Sequence, residues 1–353
     1  MGYLALFKYK SMKKLLLLIF TIACIKGISQ DQLKAKIEFQ EAETAYSEER
    51  YEDAIQKLVT AEKLLGKSAP NITFLKIISL DKVCDYENPK DKYLSQVAKE
   101  VDAYMQFANA NEDMVVEDKF KTVYNIQKIV NNQKETEAFK LMPEYTTAYN
   151  AISSGDYAAA VASFSKAAEK DNHAAMFRLG LLNYFGIKGI KNYSEAMSWF
   201  KKAAAKGNMS ALEYIGNMYY HGNGVTEDYN QALQWYMKAV TAGSTEALNS
   251  IGRLYNFGGI NLQRNETEAI AWYTKAVIKG NGSAMYNIGV MYEKGMGVAK
   301  SNEEAFTWYK KSADHSYYHG IKKVAQCYEE GIGVPKNLDM AIEYIQKAID
   351  ANK

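Results

Sequence analysis

Few residues in this chain have the type and spacing that chemistry needs. Of the histidines His173, His221, His315 and His319, the last two stand four apart, a separation that can place two metal ligands on one helical face. His319 falls at the start of a predicted helix and His315 in the connection before it, so the spacing need not place both on one helix. No cysteine or carboxylate of matching spacing completes a ligand set, and no metal is expected. H-E-x-x-H, G-x-S-x-G and Walker patterns are all missing from the sequence. Cys84 and Cys327 are too few and too distant for a disulfide framework. Both lie in apolar helical patterns and read as buried fillers rather than nucleophiles. The dispersed Asp and Glu residues read as caps and solvated faces. No catalytic residue and no cofactor is assigned, and the expectation is a protein that is not an enzyme.

Two ordered series could still bind something charged. The pairs Gly222/Gly224, Gly295/Gly297 and Gly331/Gly333 could cradle a phosphate, but no strand precedes them and no G-K-[ST] follows. They read as turns that follow helix C-termini, where positive φ suits glycine. Lys202, Lys238, Lys275, Lys311 and Lys347 could form a row for an acidic polymer. The simpler reading is a lysine late in each helix, favoured by the helix dipole and keeping the convex side soluble. With 43 basic and 41 acidic residues dispersed along 353 positions, no basic patch points to nucleic acid.

The elements that carry these residues repeat. Gly180, Gly216, Gly252 and Gly289, with Ala325 in a fifth copy, step by 36 or 37 residues, and so do Trp199, Trp235, Trp272, Trp308 and Tyr344. Three residues before each aromatic stands Ala196, Ala232, Ala269, Ala305 or Ala341, and four after it Ala203, Ala239, Ala276, Ser312 or Ala348. A large ring between small residues predicts a knob that a neighbouring helix can approach closely. Mid-helix glycine costs roughly 1 kcal/mol against alanine, so its recurrence predicts a close crossing. Asn192, Asp228, Asn265, Ser301 and Asn337 stand where N-caps of the second helices belong. Glu195, Gln231, Glu268 and Glu304 add capping-box spacing, which Met340 breaks in the last copy.

The segments LGLLNYFG, IGNMYYHGNGV, IGVMYEKGMGV and AQCYEEGIGV, each followed by a stretch like DYNQALQWYMKAVTAG, resemble Sel-one-like repeats, relatives of the tetratricopeptide repeats. The resemblance covers about half of the chain and implies an all-α fold: a right-handed superhelical solenoid of stacked antiparallel helix pairs. The last copy lacks both the glycine and the tryptophan, as a terminal cap would. By this resemblance, a stripe on the first helices lines a concave groove that grips a protein or peptide. It comprises Phe177, Leu181 and Tyr184; Glu213, Asn217 and Tyr220; Asn249, Arg253 and Asn256; Tyr286, Val290 and Glu293; and Lys322, Gln326 and Glu329. These positions vary between copies while the core positions hardly do, and aromatic and arginine anchors dominate recognition. The runner-up is a cell-envelope enzyme or peptidoglycan binder of the cysteine-rich, β-lactamase-linked kind, whose paired cysteines are missing here. End-to-end self-association is a third expectation.

Residues 12–30, MKKLLLLIFTIACIKGISQ, read as a secretory signal peptide with cleavage near Ser29/Gln30, so that 1–29 is removed and the protein is exported to the periplasm or beyond. Lipid anchoring at Cys24 is the lesser alternative, since the usual leucine three residues before it is missing. No later segment reaches the roughly 18 apolar residues of a membrane span. Residues 30–142 predict diverged tetratricopeptide-like pairs: a pair over 32–65 ended by Pro70, a pair over 72–86 and 91–108, and a longer helix over about 114–134. Pro143 opens a further pair that leads into five repeats over 173–353, in one continuous solenoid.

Overall fold

The computed structural model describes residues 29–86, 88, 90–111, 116–186, 190–259 and 261–351. The signal-peptide and Cys24 expectations lie outside this set. Among the described residues the protein is all α, with an isolated bridge between Gly259 and Leu262. The helices are α1 (Gln30–Ser47), α2 (Tyr51–Leu65), α3 (Pro70–Val83), α4 (Leu94–Ala110), α5 (Glu117–Lys140), α6 (Pro143–Ser153) and α7 (Tyr157–Glu169). Five pairs follow: α8 (His173–Phe185) with α9 (Tyr193–Ala205), α10 (Met209–His221) with α11 (Tyr229–Thr241), α12 (Thr245–Phe257) with α13 (Glu266–Ile278), α14 (Gly282–Lys294) with α15 (Asn302–Asp314), and α16 (Tyr318–Glu330) with α17 (Leu338–Asp350). Pro70 opens α3 rather than ending α2, since a first-turn residue needs no N–H partner. Contacts divide the chain into two units, one of Met1–Val83 with Ser95–Gln127, the other of Cys84–Leu94 with Lys128–Lys353.

The first unit buries Ala35, Ala42, Leu58, Ala61, Ile72 and Leu75 where α1, α2 and α3 meet. Within it Lys76 is buried, its Nζ donating to Glu62 Oε2 at 2.6 Å and lying 2.8 Å from Glu100 Oε1.

In the second unit each helical hairpin is closed by local chemistry. Every second-helix cap expected from the sequence is made: Asn192, Asp228, Asn265, Ser301 and Asn337 accept from the backbone N–H three residues on. The caps also donate their own backbone N–H groups to carbonyls near the end of the preceding helix, Asp228 to Tyr219 at 2.9 Å and Asn337 to Tyr328 at 2.8 Å. Between them the glycine pairs turn the chain with positive φ, 65° and 72° at Gly222 and Gly224, a region closed to most side chains.

The close crossing expected at each glycine is made inside the pair, and not by the tryptophan. The ring against the glycine is the residue after the tryptophan: a Cβ on Gly216 would lie 2.6 Å from the Tyr236 ring, on Gly252 2.5 Å from Tyr273, and on Gly289 2.6 Å from Tyr309. Gly180 meets Phe200 in the same way. Phe200, Tyr236, Tyr273 and Tyr309 are buried, whereas the four tryptophans are half-buried. The alanines flanking each ring are buried as expected. Both aromatic positions lie on the alanine face of the helix; one flank meets its own partner helix and the other meets the neighbouring repeat. Trp235 and Trp272 accordingly each pack against two successive core clusters.

Cys327 is buried in the core cluster around Tyr309 and Val324, as its apolar helical pattern implied. Cys84 is buried too, although it lies just past the end of α3 rather than within a helix. Non-repeat residues of this unit run along the corners where one repeat passes to the next. Asn172 Nδ2 donates to the Phe139 carbonyl at 3.1 Å, Asn132 donates to the Gly207 carbonyl, and Lys279 Nζ donates to the Cys84 carbonyl at 3.0 Å.

Candidate functional site

The first helices α8, α10, α12, α14 and α16 start from caps that the sequence reading missed. Asn172, Asn208, Ser244 and Asn281 accept from the backbone N–H of Ala175, Ala211, Ala247 and Ala284, while Tyr317 makes no such bond. Asn or Ser three residues before Ala, at the repeat period, was the available signal. First helices of neighbouring repeats also pack on one another, α12 with α14 and α14 with α16, whereas second helices make no comparable contact. Tighter spacing on one side of a stack curves it toward that side, so over the third to fifth repeats the first-helix face is the inner one.

The stripe on that face falls into two groups. Glu213 and Asn249 are buried and their polar groups are used inside the chain. Glu213 accepts from the Ser244 hydroxyl, and Asn249 Oδ1 accepts from Asn287 Nδ2 at 2.9 Å. Each bond joins one repeat to the next, fixing the spacing of the first helices. Asn256 is buried as well. Phe177, Leu181, Tyr184, Asn217, Tyr220, Arg253, Tyr286, Val290 and Glu293 are half-buried, whereas Lys322, Gln326 and Glu329 of the last repeat are exposed.

The half-buried group is held from below. Phe177 and Tyr184 belong to a cluster of rings around Phe200 and Tyr214, with centroid separations of 5.2 to 6.2 Å. Phe177 also borders a cavity of about 120 Å³ lined by Gln133, Thr136 and Arg178. Asn217 Oδ1 accepts from the buried Tyr236 hydroxyl at 2.6 Å. Glu293 accepts from the Tyr309 hydroxyl at 2.6 Å and from Lys323 Nζ at 2.9 Å. Burial raises the Glu293 pKa, but these two bonds outweigh it and hold the carboxyl below its usual range. Tyr309 is pushed the opposite way, by burial first and by Glu293 second. Between these anchors Tyr220 stacks on Tyr229 at 5.1 Å and 17°, and the Arg253 guanidinium lies 5.5 Å above the Tyr220 ring.

The candidates for chemistry take ordinary places. His315 is the C-terminal cap residue of α15, its ring bonded to the Lys311 carbonyl, and His319 is exposed in α16. Burial pushes the Cys327 thiol up to about 11, away from the thiolate that a nucleophile needs. The lysine row has a local purpose beyond the helix dipole. Each ammonium sits over the aromatic ring three residues before it: Lys202 on Trp199 at 4.0 Å, Lys238 on Trp235 at 3.9 Å, Lys275 on Trp272 at 3.7 Å, Lys311 on Trp308 at 4.1 Å and Lys347 on Tyr344 at 4.4 Å. The lysines therefore lid the exposed side of the ring row.

Family comparison agrees with this periodicity. The Sel1 repeat model matches residues 173–208, 210–244, 245–281, 282–317 and 319–353, together just over half of the chain. The chain belongs to the Sel1 repeat family. No curated protein sequence matches it. Among solved structures, a Sel1 repeat protein from Oxalobacter formigenes is 26% identical with a TM-score of 0.51, the match covering 64% of this chain and 95% of that one. A protective antigen of uropathogenic Escherichia coli with an SLR fold is 22% identical, with a TM-score of 0.45, over 89% of this chain and 76% of its own. An immunity protein from Pseudomonas aeruginosa is 19% identical, with a TM-score of 0.43, over 55% of this chain and 74% of its own. Sel1 repeat proteins are in general non-catalytic scaffolds that bind other proteins. No described helix of this Sel1 repeat protein is long and apolar enough to cross a membrane.

Proposed function

We propose that this Sel1 repeat protein is an exported, non-catalytic adaptor that holds a protein or peptide partner on its first-helix face. The assembly of Tyr220, Tyr229 and Arg253 carries the reading. A large ring and a guanidinium are already positioned across two repeats, so binding orders few new groups. Arg253 suits a carboxylate on the partner, an acidic side chain or a chain terminus, while the Tyr220 ring supplies apolar area. Asn217, Tyr286, Val290 and Glu293 extend the contact along the stripe. Glu213 and Asn249 act beneath it by holding the repeats in register, and Asn256 is buried below it. Phe177 and Tyr184 stand at its first-repeat end, where they also hold the ring cluster together.

The double variant Tyr220→Ala/Arg253→Ala tests the reading, with Lys238→Ala on the opposite face as control. Immobilised protein is offered the envelope fraction of its own source cell, and captured proteins are quantified by mass spectrometry. A partner retained by the parent and by Lys238→Ala, and lost from the double variant at unchanged helicity, supports the assignment. Equal retention by all three rejects it. Export rests on the apolar run and flanking lysines of residues 12–30 and has its own test. N-terminal sequencing of the mature chain is expected to begin near Gln30; a cytosolic chain that keeps residues 12–25 rejects export.

A further inference from the structure

Where the last turns of α5 meet α6, α8 and the start of α10, a cavity of about 120 Å³ is lined by polar side chains but by no Asp or Glu. Arg178 lines it half-buried, its Nε donating to the Tyr145 hydroxyl at 3.2 Å and its guanidinium 5.3 Å over the Tyr149 ring. Those contacts hold the guanidinium in place and leave its two terminal amino groups without a partner among the described residues. Gln133, only 5% exposed, lines the same cavity and bonds to no described residue. A buried amide in that state costs free energy until its bonds are filled. The Ser210 hydroxyl is unpartnered too, in the first turn of α10, where the N–H groups of Met209 and Ser210 precede the helical ladder. Other polar groups here are used within the chain. Thr136 donates to the Asn132 carbonyl at 2.8 Å, Asn208 caps α10 and bonds to His173, and Lys140 pairs with Glu137 at 2.7 Å. Asn132 is used by half: its Nδ2 donates to the Gly207 carbonyl, while its buried Oδ1 has no partner among the described residues.

We propose that this cavity receives the C-terminal carboxylate of a peptide lying along the first-helix face. The donors are those that an anion needs: a guanidinium edge for a bidentate pair, an amide, a hydroxyl and a helix N-terminus. Asn132 decides which anion. Its Oδ1 opposes the oxygen shell of a phosphate but suits an N–H, and a peptide terminus carries one on the carbon that bears the carboxylate. An Asp or Glu side chain sets that N–H further off. The cavity has the liquid volume of about four waters, enough for a carboxylate and the atoms next to it. Phe177 borders the cavity and also begins the stripe, so a chain leaving the cavity meets that face. The inference rests on the adaptor reading for the peptide itself, and it leaves Arg253 to an acidic side chain of the same partner.

Acetyl-glycyl-glycine supplies the terminus alone. Titrated into nitrogen-15-labelled protein to about 20 mM, it is expected to bind with a dissociation constant on the order of 1–10 mM. The Gln133 side-chain and Ser210 backbone N–H signals are expected to shift most. Its C-terminal amide, free glycine and inorganic phosphate are expected to bind at least about tenfold more weakly. Gln133→Glu offers Arg178 a carboxylate from within the chain and is expected to abolish binding at unchanged helicity. Arg178→Gln is expected to weaken binding at least about tenfold. Equal binding of acid and amide overturns the proposal, as do absence of binding, preference for phosphate or glycine, shifts confined to other sites, or parental affinity in Gln133→Glu. Loss of helicity in Arg178→Gln, through its tyrosine contacts, leaves the decision to Gln133→Glu. The titration needs no protein partner and leaves Tyr220 and Arg253 intact. Its failure therefore strikes the cavity assignment alone, while the adaptor reading falls by equal capture in the Tyr220→Ala/Arg253→Ala variant.

Discussion

Replacing Gly180 by alanine places a methyl group against the Phe200 ring, which is walled in by Phe177, Tyr184 and Tyr214 at centroid distances of 5.7, 6.2 and 5.2 Å. Overpacking a core costs about 1–3 kcal/mol, and the crowded ring puts this site near the upper end. Alanine returns about 1 kcal/mol of helix propensity, so Gly180→Ala is expected to lose about 2 kcal/mol net. Phe200→Ile alone removes ring contacts and is expected to cost about 1–2 kcal/mol. The fifth repeat already holds the combination, with Ala325 and Ile345 at the equivalent positions. The double variant should therefore lose only about 1 kcal/mol, where addition gives about 3–4, a coupling of about 2–3 kcal/mol. Urea unfolding followed by far-ultraviolet circular dichroism measures all four corners of the cycle. Losses that add within about 0.5 kcal/mol refute the claim that the glycine exists to admit the ring.

In the first unit, Lys76→Met leaves the buried Glu100 and the half-buried Glu62 without their cation and is expected to cost about 3 kcal/mol, read from the urea midpoint. Lys238→Met removes the ammonium over Trp235 and is expected to cost about 0.5–1 kcal/mol while shifting tryptophan emission. His173 is buried against Phe139 and Asn208, and burial lowers its pKa more than the charge of Glu135 raises it. Its contribution to stability is thus complete above the unfolded imidazole value of about 6.5 and is lost as pH falls through the lower folded value. Unfolding at stepped pH should show an acid limb there that His173→Gln flattens.

The features legible in the sequence were those set by local chemistry. Asn192, Asp228, Asn265, Ser301 and Asn337 cap helices because a short polar side chain can reach an N–H three residues away, and no distant contact is needed. The turn glycines are legible for the same reason. What needed coordinates was direction. Trp199 and Phe200 both fall on the alanine face, and nothing in the sequence says which flank meets Gly180 and which meets the next repeat. The stripe was legible as a set of variable positions, but its division was not. Glu213 and Asn249 turn inward because Ser244 and Asn287, each more than 30 residues away, offer partners. The segment around Cys84 shows no repeat, so its bond to Lys279 left no periodic trace.

The central claim is that partners are held on the first-helix face. Site-specific photocross-linking tests it most directly, with a benzophenone side chain placed at Asn217 or Val290 on that face and at Gln234 or Lys275 on the opposite one. The account expects one and the same partner to cross-link from positions 217 and 290 and not from 234 or 275. Equal yield from the two faces, or yield from the second helices alone, contradicts it.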